Sequence, residues 1–206
     1  MKPKKPKSKS KNLHNSKNLH ISKNLPKSKI SKNKNSKIVC IAAVAMTIDG
    51  KIARYSGHAS NWTSKEDKRH LHKIEDSCDV MVVGRKSYKL AQKPLSKRNV
   101  VVFTRSVETT QKESERLVLL NPQNVDFVKF AAEKNYSRAC VLGGPEIYSY
   151  FLEHNLLDEL YITVEPLVFG EGLGLFNRPV ETKNFKLKSV KKLNKCGTLL
   201  QHYVKS

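Results

Sequence analysis

The sequence predicts an α/β protein: a three-layer α/β/α sandwich on a mostly parallel central sheet, closed by an antiparallel C-terminal hairpin. Three observations carry that expectation. From Ile38 onward, short apolar runs alternate with stretches of helical periodicity, the pattern of strands joined by crossover helices. Ile38–Met46 is apolar throughout, as a strand buried on both faces must be. Near the end, Phe185–Leu193 and Thr198–Val204 flank Lys195-Cys196-Gly197 with no helical stretch between them, which reads as a hairpin.

Residues 1–37 stand apart. They hold 13 Lys, no Arg, no acidic residue and no aromatic residue. Ser10-Lys-Asn-Leu-His14 returns as Ser16–His20 and as Ser22-Lys-Asn-Leu-Pro26, a period of six. That period suits neither helix nor strand, and the composition offers no core to offset ordering entropy, so a disordered tail is expected. The net charge of +21 belongs mostly to it: the remaining 169 residues carry 26 basic and 18 acidic side chains, or +8. A nucleic-acid partner is expected only through residues 1–37, which lack the Arg and aromatic residues that add bidentate and stacking contacts. A solvated extension is the default. Residues 38–206 are expected to form one domain.

In order, the domain opens with the Ile38–Met46 strand and a helix at Ser64–Asp76. Thr63 with Glu66, or Ser64 with Asp67, has the spacing of a capping box at that helix's start. A strand follows at Asp79–Val83, a short helix from Arg85 to about Ala91, and strands at Asn99–Thr104 and Arg116–Leu120. Val125–Glu133 reads as a helix with Val128, Ala131 and Ala132 inward. Arg138–Leu142 is a strand ending in Gly143-Gly144; Pro145 then suits a first helical turn, with Ile147, Tyr148, Phe151 and Leu152 inward. Leu160–Glu165 is the next strand.

Several chemistries find no support. Cys40, Cys78, Cys140 and Cys196 form no C-x-x-C pair, and the histidines show no H-E-x-x-H, so neither a metal nor a disulfide framework is assigned. There is no G-x-S-x-G and no P-loop. The longest apolar run is too short for a bilayer, so no membrane partner is expected, and the protein is read as soluble and cytoplasmic.

What remains clusters after strands. A strand, two glycines and a helix start make a ready cradle for an anionic cofactor. Gly84-Arg85-Lys86-Ser87 offers a glycine turn, two cations and a hydroxyl at a helix start, and Thr104-Arg105-Ser106 sets a cation between two hydroxyls. Both supply what a phosphate needs, though each taken alone is also what a solvated surface looks like. Asp49-Gly50-Lys51 makes a turn with a charge beyond the first strand, on the rim where open α/β sheets bind ligands. Asp67 serves either as part of the cap or as an acid desolvated beside Trp62.

With these residues in place, the chain resembles the dihydrofolate reductase-like superfamily, and within it the reductase domain of the riboflavin-pathway deaminase–reductase. The likeness runs from about Ile38 to Tyr203. It rests on Met46-Thr-Ile-Asp-Gly-Lys-Ile-Ala53, Asp79-Val-Met-Val-Val-Gly-Arg-Lys-Ser-Tyr88, Val141–Tyr148 and Asp158–Gly172. The resemblance implies an NADPH-dependent reductase. It makes Gly84, Arg85, Lys86 and Ser87 contacts for the cofactor phosphates, Thr104, Arg105 and Ser106 contacts for the adenosine 2′-phosphate, and Ala43, Gly143, Gly144 and Tyr148 neighbours of the nicotinamide half. Asp67 falls where folate-reducing members carry their substrate-binding acid, and Arg98 lies in a stretch like the one whose arginine holds the folate tail. Asp49, Lys51, Trp62, Asp67 and Arg98 are the expected substrate contacts, with Asp67 the expected catalytic acid. The chain departs from the riboflavin branch at Gln92-Lys93-Pro94 and Leu142, where that branch shows Asp-Asp-Pro and Glu. The favoured activity is 5-amino-6-(5-phosphoribosylamino)uracil reduction, with dihydrofolate reduction the alternative. Family habit implies a homodimer.

Overall fold

The structure, a computed structural model, describes residues 37–206; the expectations for the Lys-rich segment fall almost wholly outside the described residues. In chain order, β1 (Val39–Thr47) and β2 (Lys51–Ala53) precede a 3-10 turn at Ser60–Trp62 and α1 (Lys65–Asp76). Then come β3 (Val80–Gly84), α2 (Arg85–Leu95), β4 (Val100–Phe103), β5 (Thr110–Lys112) and β6 (Leu117–Leu120). They are followed by α3 (Phe127–Glu133), β7 (Arg138–Val141), α4 (Pro145–Glu153) and β8 (Leu157–Glu165). β9 (Leu173–Gly174), β10 (Phe185–Lys192) and β11 (Leu199–Lys205) end the chain.

Among the described residues, the main sheet runs β10-β11-β8-β1-β7-β3-β4-β6-β5. The strands from β8 to β6 are parallel to one another. β11 and β10 extend one side antiparallel, and β5 the other. β2 pairs with β9 in a separate two-stranded ribbon.

Strand alternation divides the core in two. Cys40, Ala42, Val80, Val82, Val101, Phe103, Ala139 and Val141 pack with Phe127, Phe130, Ile147 and Phe151 of α3 and α4. Ile41, Ala43, Met81, Val83, Val100, Val102 and Cys140 face Ile74 of α1 and Leu95 of α2. The period of two along each parallel strand gives both faces to apolar contact, which is why these runs read as apolar throughout. The split of helices follows from direction. β1→β3→β4 steps toward one edge of the sheet, whereas β6→β7→β8 steps back. Right-handed crossovers then put α1 and α2 on one face and α3 and α4 on the other.

Three elements shift by two residues or more from the sequence reading, and β2, β5 and β9 were not foreseen in it. α2 runs one turn beyond Ala91, through Pro94, because Leu95 is buried against the sheet and holds the last turn. α3 begins at Phe127 with Asp126 as its cap, so Phe127, Phe130 and Ala131 are buried while Ala132 is exposed. Starting that helix at Val125 rotated the expected inward face. β8 begins at Leu157 rather than Leu160, with Leu157 buried and the Asp158 carboxylate accepting from the Cys40 amide at 2.9 Å.

Candidate active site

The parallel strands deliver their C-terminal ends to one edge, and the loops there carry most of the residues singled out above. β3 ends in Gly84, the N-cap of α2, whose first turn is Arg85, Lys86 and Ser87. Beside it, β4 ends in Phe103 and continues into Thr104-Arg105-Ser106. The two corners meet: Arg85 donates to the Ser106 hydroxyl, and Ser106 is tied to the Thr104 hydroxyl through its amide at 3.2 Å and its own hydroxyl at 3.1 Å. Arg85, Lys86 and Arg105 are exposed, and among the described residues no carboxylate forms an ion pair with any of them. Three uncompensated cations and three hydroxyls at neighbouring strand ends give a local positive potential suited to a phosphate.

β7 lies on the other side of β3. The Gly84 amide donates to the Gly143 carbonyl at 2.8 Å, so the turn after β7 stays joined to the turn after β3. The Gly143–Gly144 peptide is cis, and Gly143 sits at φ +83°. A Cβ there would lie 2.4 Å from the Tyr148 ring, so only glycine fits. Tyr148 is buried and donates its hydroxyl to the Ala43 carbonyl at 2.9 Å, pinning α4 to the middle of β1. Burial pushes that phenol far above its ordinary range. Gly144 caps α4, and a Cβ placed on it would meet Ser87 at 3.6 Å, so the two turns are close neighbours.

The acid lies across β1. Ser64 caps α1 by accepting from the Asp67 amide at 3.2 Å, as the capping-box spacing predicts, but the reciprocal bond is absent. The Ser64 amide instead donates to Glu165 Oε1 at 2.7 Å. The Asp67 carboxylate is thereby left to other partners. It is buried, which raises its pKa; hydroxyls of Thr163 on β8 and Thr63 hydrogen-bond to it and pull the other way, and the nearby Glu165 charge pushes it up again. Asp67 also adds to the rise at Tyr148, which places the acid within electrostatic reach of the Gly143–Tyr148 corner. Glu165, likewise buried, accepts from Thr198 at 2.6 Å, and Thr198 is held by Asn194 at 2.9 Å. The C-terminal hairpin turn therefore braces the start of α1.

Trp62 is half-buried and packs edge-on against Phe169, with ring centroids 5.1 Å apart. Its indole N–H is enclosed without a hydrogen-bond partner among the described residues. Phe169 anchors this wall, with Arg54 over its ring at 4.2 Å.

Two expected substrate contacts are corrected. Arg98 precedes β4, so it stands on the opposite edge of the sheet, where it binds Asp76 at 2.8 Å and Glu75 at 3.2 Å. It lines a cavity of about 220 Å³ there, together with Cys78, Lys97 and Arg116, well away from the glycine turns. The Asp49 carboxylate is spent within the protein: it accepts from the Thr47 hydroxyl at 2.5 Å, the Phe169 amide at 3.1 Å and the Gly170 amide at 2.9 Å. The Thr47 hydroxyl and then those amides hold its pKa below the usual carboxylate range. Lys51, by contrast, stays at the rim on β2 with no ion-pair partner among the described residues. Thr163, Glu165 and Phe169 were not named as site residues from the sequence, and Thr63 was read only as a possible helix cap. The available signal was a Thr and a Glu two apart at the end of β8, an inward polar pair that needs a partner.

Comparison with known proteins places the chain in a family and gives it structural neighbours. The profile of the RibD C-terminal domain family matches residues 39–199. The chain is 26% identical over 171 residues to the uncharacterized protein YwjB of Bacillus subtilis, covering 79% of this chain and 95% of that protein. It is 24% identical over 184 residues to the riboflavin biosynthesis protein RibD of Aquifex aeolicus, covering 72% of this chain but only 52% of that longer protein. Among solved structures, a putative riboflavin biosynthesis protein from Shewanella superposes with a TM-score of 0.64 at 19% identity, covering 82% of this chain and 99% of that one. A pyrimidine reductase-like protein from Corynebacterium diphtheriae gives 0.65 at 16% identity, covering 82% and 92%. At these identities the structures establish a shared fold.

Proposed function

This chain belongs to the RibD C-terminal domain family, and from that premise we propose that it is an NADPH-dependent reductase whose favoured substrate is 5-amino-6-(5-phosphoribosylamino)uracil. The observation that carries the reading is the joined corner in which Arg85 reaches Ser106 across two strand ends, free of any carboxylate partner among the described residues. Such a corner fits a nucleotide carrying an additional phosphate dianion. Gly84, Lys86 and Ser87 extend it toward the Gly143–Gly144 turn, where backbone rather than side chain faces the ligand.

When bound, the reduced nicotinamide supplies a hydride. The protein's part is to fix the dinucleotide along the glycine turns and hold the acceptor next to it at near-attack distance. Asp67 holds a proton more readily than an exposed aspartate because it is desolvated, which suits delivery to the nitrogen of a carbon–nitrogen double bond as the carbon is reduced. Lys51 is the rim cation for a substrate phosphate.

Dihydrofolate reduction is the second reading. The buried acid held by Thr63 and Thr163 favours it, since such a carboxylate can also grip a ring N–H pair. Purified protein given NADPH and each substrate in turn, followed by loss of nicotinamide absorbance, separates the two. The cofactor assignment has its own test. Arg105→Ala is expected to weaken NADPH about 10- to 100-fold, the worth of about 1.5–3 kcal/mol for a charge-assisted bond, while leaving NADH affinity nearly unchanged. Equal loss for both cofactors removes Arg105 from 2′-phosphate recognition.

A further inference from the structure

The start of α1 is surrounded by more carboxylates than its cap requires. Asp67 is the third residue of the helix, the place from which a capping box sends an acidic side chain back to the amide of the cap residue. The donors such a side chain would meet are already taken. The Ser64 amide donates to Glu165 Oε1 at 2.7 Å, and the Asp67 amide to the Ser64 hydroxyl at 3.2 Å. The Glu66 amide is met by its own carboxylate, which also accepts from Arg69 at 2.6 Å. A carboxylate from β8 thus makes the reciprocal bond of the capping box in place of the helix's own residue.

Glu165 is fixed for that contact. It is 3% exposed, and its other oxygen accepts from the Thr198 hydroxyl at 2.6 Å. Thr198 in turn accepts from Asn194 at 2.9 Å and donates its amide back to that side chain at 3.2 Å. Asn194 reaches on to Glu66 at 3.4 Å, so one turn between β10 and β11 holds both Glu165 and the first turn of α1. Thr163 lies two residues before Glu165 on β8 and shares its face. Its hydroxyl hydrogen-bonds to Asp67. The same strand therefore takes over the cap with one side chain and receives the released acid with another.

We propose that Glu165 is a positioning residue for Asp67: by occupying the Ser64 amide it keeps the Asp67 carboxylate out of the helix cap and against Thr163 and Thr63. Asp67 has two places to go, the cap or the sheet, and Glu165 decides between them. At the cap it would be an ionised acceptor at the positive end of a helix, which lowers a carboxyl pKa. Against Thr163 it is desolvated, which raises it. The titratable groups that face it are Glu165 from β8, His70 on its own helix and Tyr148 from α4. The position of Asp67 stands on the contacts, whereas its use as a proton donor rests on the reductase reading.

The test reads position and turnover separately, on the full chain. Aspartate carboxyl carbons are labelled with ¹³C and followed by NMR from acid to neutral pH, the Asp67 signal being the one lost in Asp67→Asn. Glu165→Gln keeps an acceptor for the Ser64 amide without the charge; Glu165→Met keeps the bulk without either. Asp67 is expected to titrate above the ordinary aspartate range in the parent and in Glu165→Gln, and below it in Glu165→Met, where it turns back to the Ser64 amide. With NADPH and the favoured substrate, kcat should fall about 10²-fold or more in Glu165→Met, with KM for NADPH unmoved, and the Gln variant should recover most of it. Asp67 titrating above the range in Glu165→Met, or falling equally far in both variants, overturns the proposal. Should Glu165→Met not fold, the Ser64 amide decides: its proton shift is expected to keep its pH dependence in Asp67→Asn, and loss of that dependence names Asp67 as the acceptor and overturns the proposal. A parent without turnover sinks the reductase reading and leaves the titration result standing.

Discussion

At the scale of single residues, burial sets the behaviour of the site. Asp67 holds its proton more tightly folded than unfolded, because desolvation outweighs the Thr163 and Thr63 hydroxyls. Below the ordinary carboxylate range this group has no effect on stability; as the pH rises from there through its raised folded value, the folded chain loses stability relative to the unfolded one. Asp67→Asn removes that loss, so the variant is expected to melt higher than the parent at neutral pH and alike in acid. The same change should slow turnover about 10²- to 10⁴-fold, the range for a positioned acid, and flatten the alkaline limb of the rate profile. Full turnover by the variant would take Asp67 out of the proton path. Gly143 makes a separate point. An alanine there meets the Tyr148 ring and a positive φ together, so Gly143→Ala is expected to cost about 2–4 kcal/mol. Differential scanning calorimetry should register a midpoint lowered by about 5–10 °C.

At the scale of elements, loops that look unremarkable in sequence prove to be tied by a few side chains. Asp49 gathers the Phe169 and Gly170 amides and so fastens the segment after β8 to the turn after β1. Asp49→Ala is expected to speed amide hydrogen exchange at Phe169 and Gly170 while leaving Cys140 protected; unchanged exchange would show that the β2–β9 ribbon holds the segment unaided. That ribbon also depends on Gly172, where a Cβ would come within 2.4 Å of the Ala53 carbonyl. The six parallel strands and four helices were legible because their apolar runs are local signals. The β2–β9 ribbon was not, because β2 and β9 are short and their pairing is fixed by residues more than a hundred positions apart. The two phosphate corners were legible as clusters of residue types, whereas their junction through Arg85 and Ser106 needed the strand order. Asp49 and Arg98 misled because a charge near a strand end looks alike in sequence whatever it faces: Arg98 precedes β4 and emerges on the opposite edge, whereas Asp49 emerges on the ligand-side edge but is taken up by Thr47 and the Phe169 and Gly170 amides.

At the scale of the whole molecule, the first strand is completed only late in the chain. β1 takes its partners from β7 and β8, with Cys40 opposite Ala139 and Ala42 opposite Leu160. A chain ending at residue 156 keeps β7 and α4 but leaves one long edge of β1 bare, and bare apolar edges recruit other chains. That truncation is expected to appear in inclusion bodies, whereas a chain of residues 37–206 should stay in the supernatant; soluble, monodisperse truncated protein would contradict the dependence. A ribosome therefore presents this protein to the cell with its central seam open for most of the time spent on translation. The interval between the emergence of residue 47 and that of residue 165 sets how long a chaperone would have to shield it.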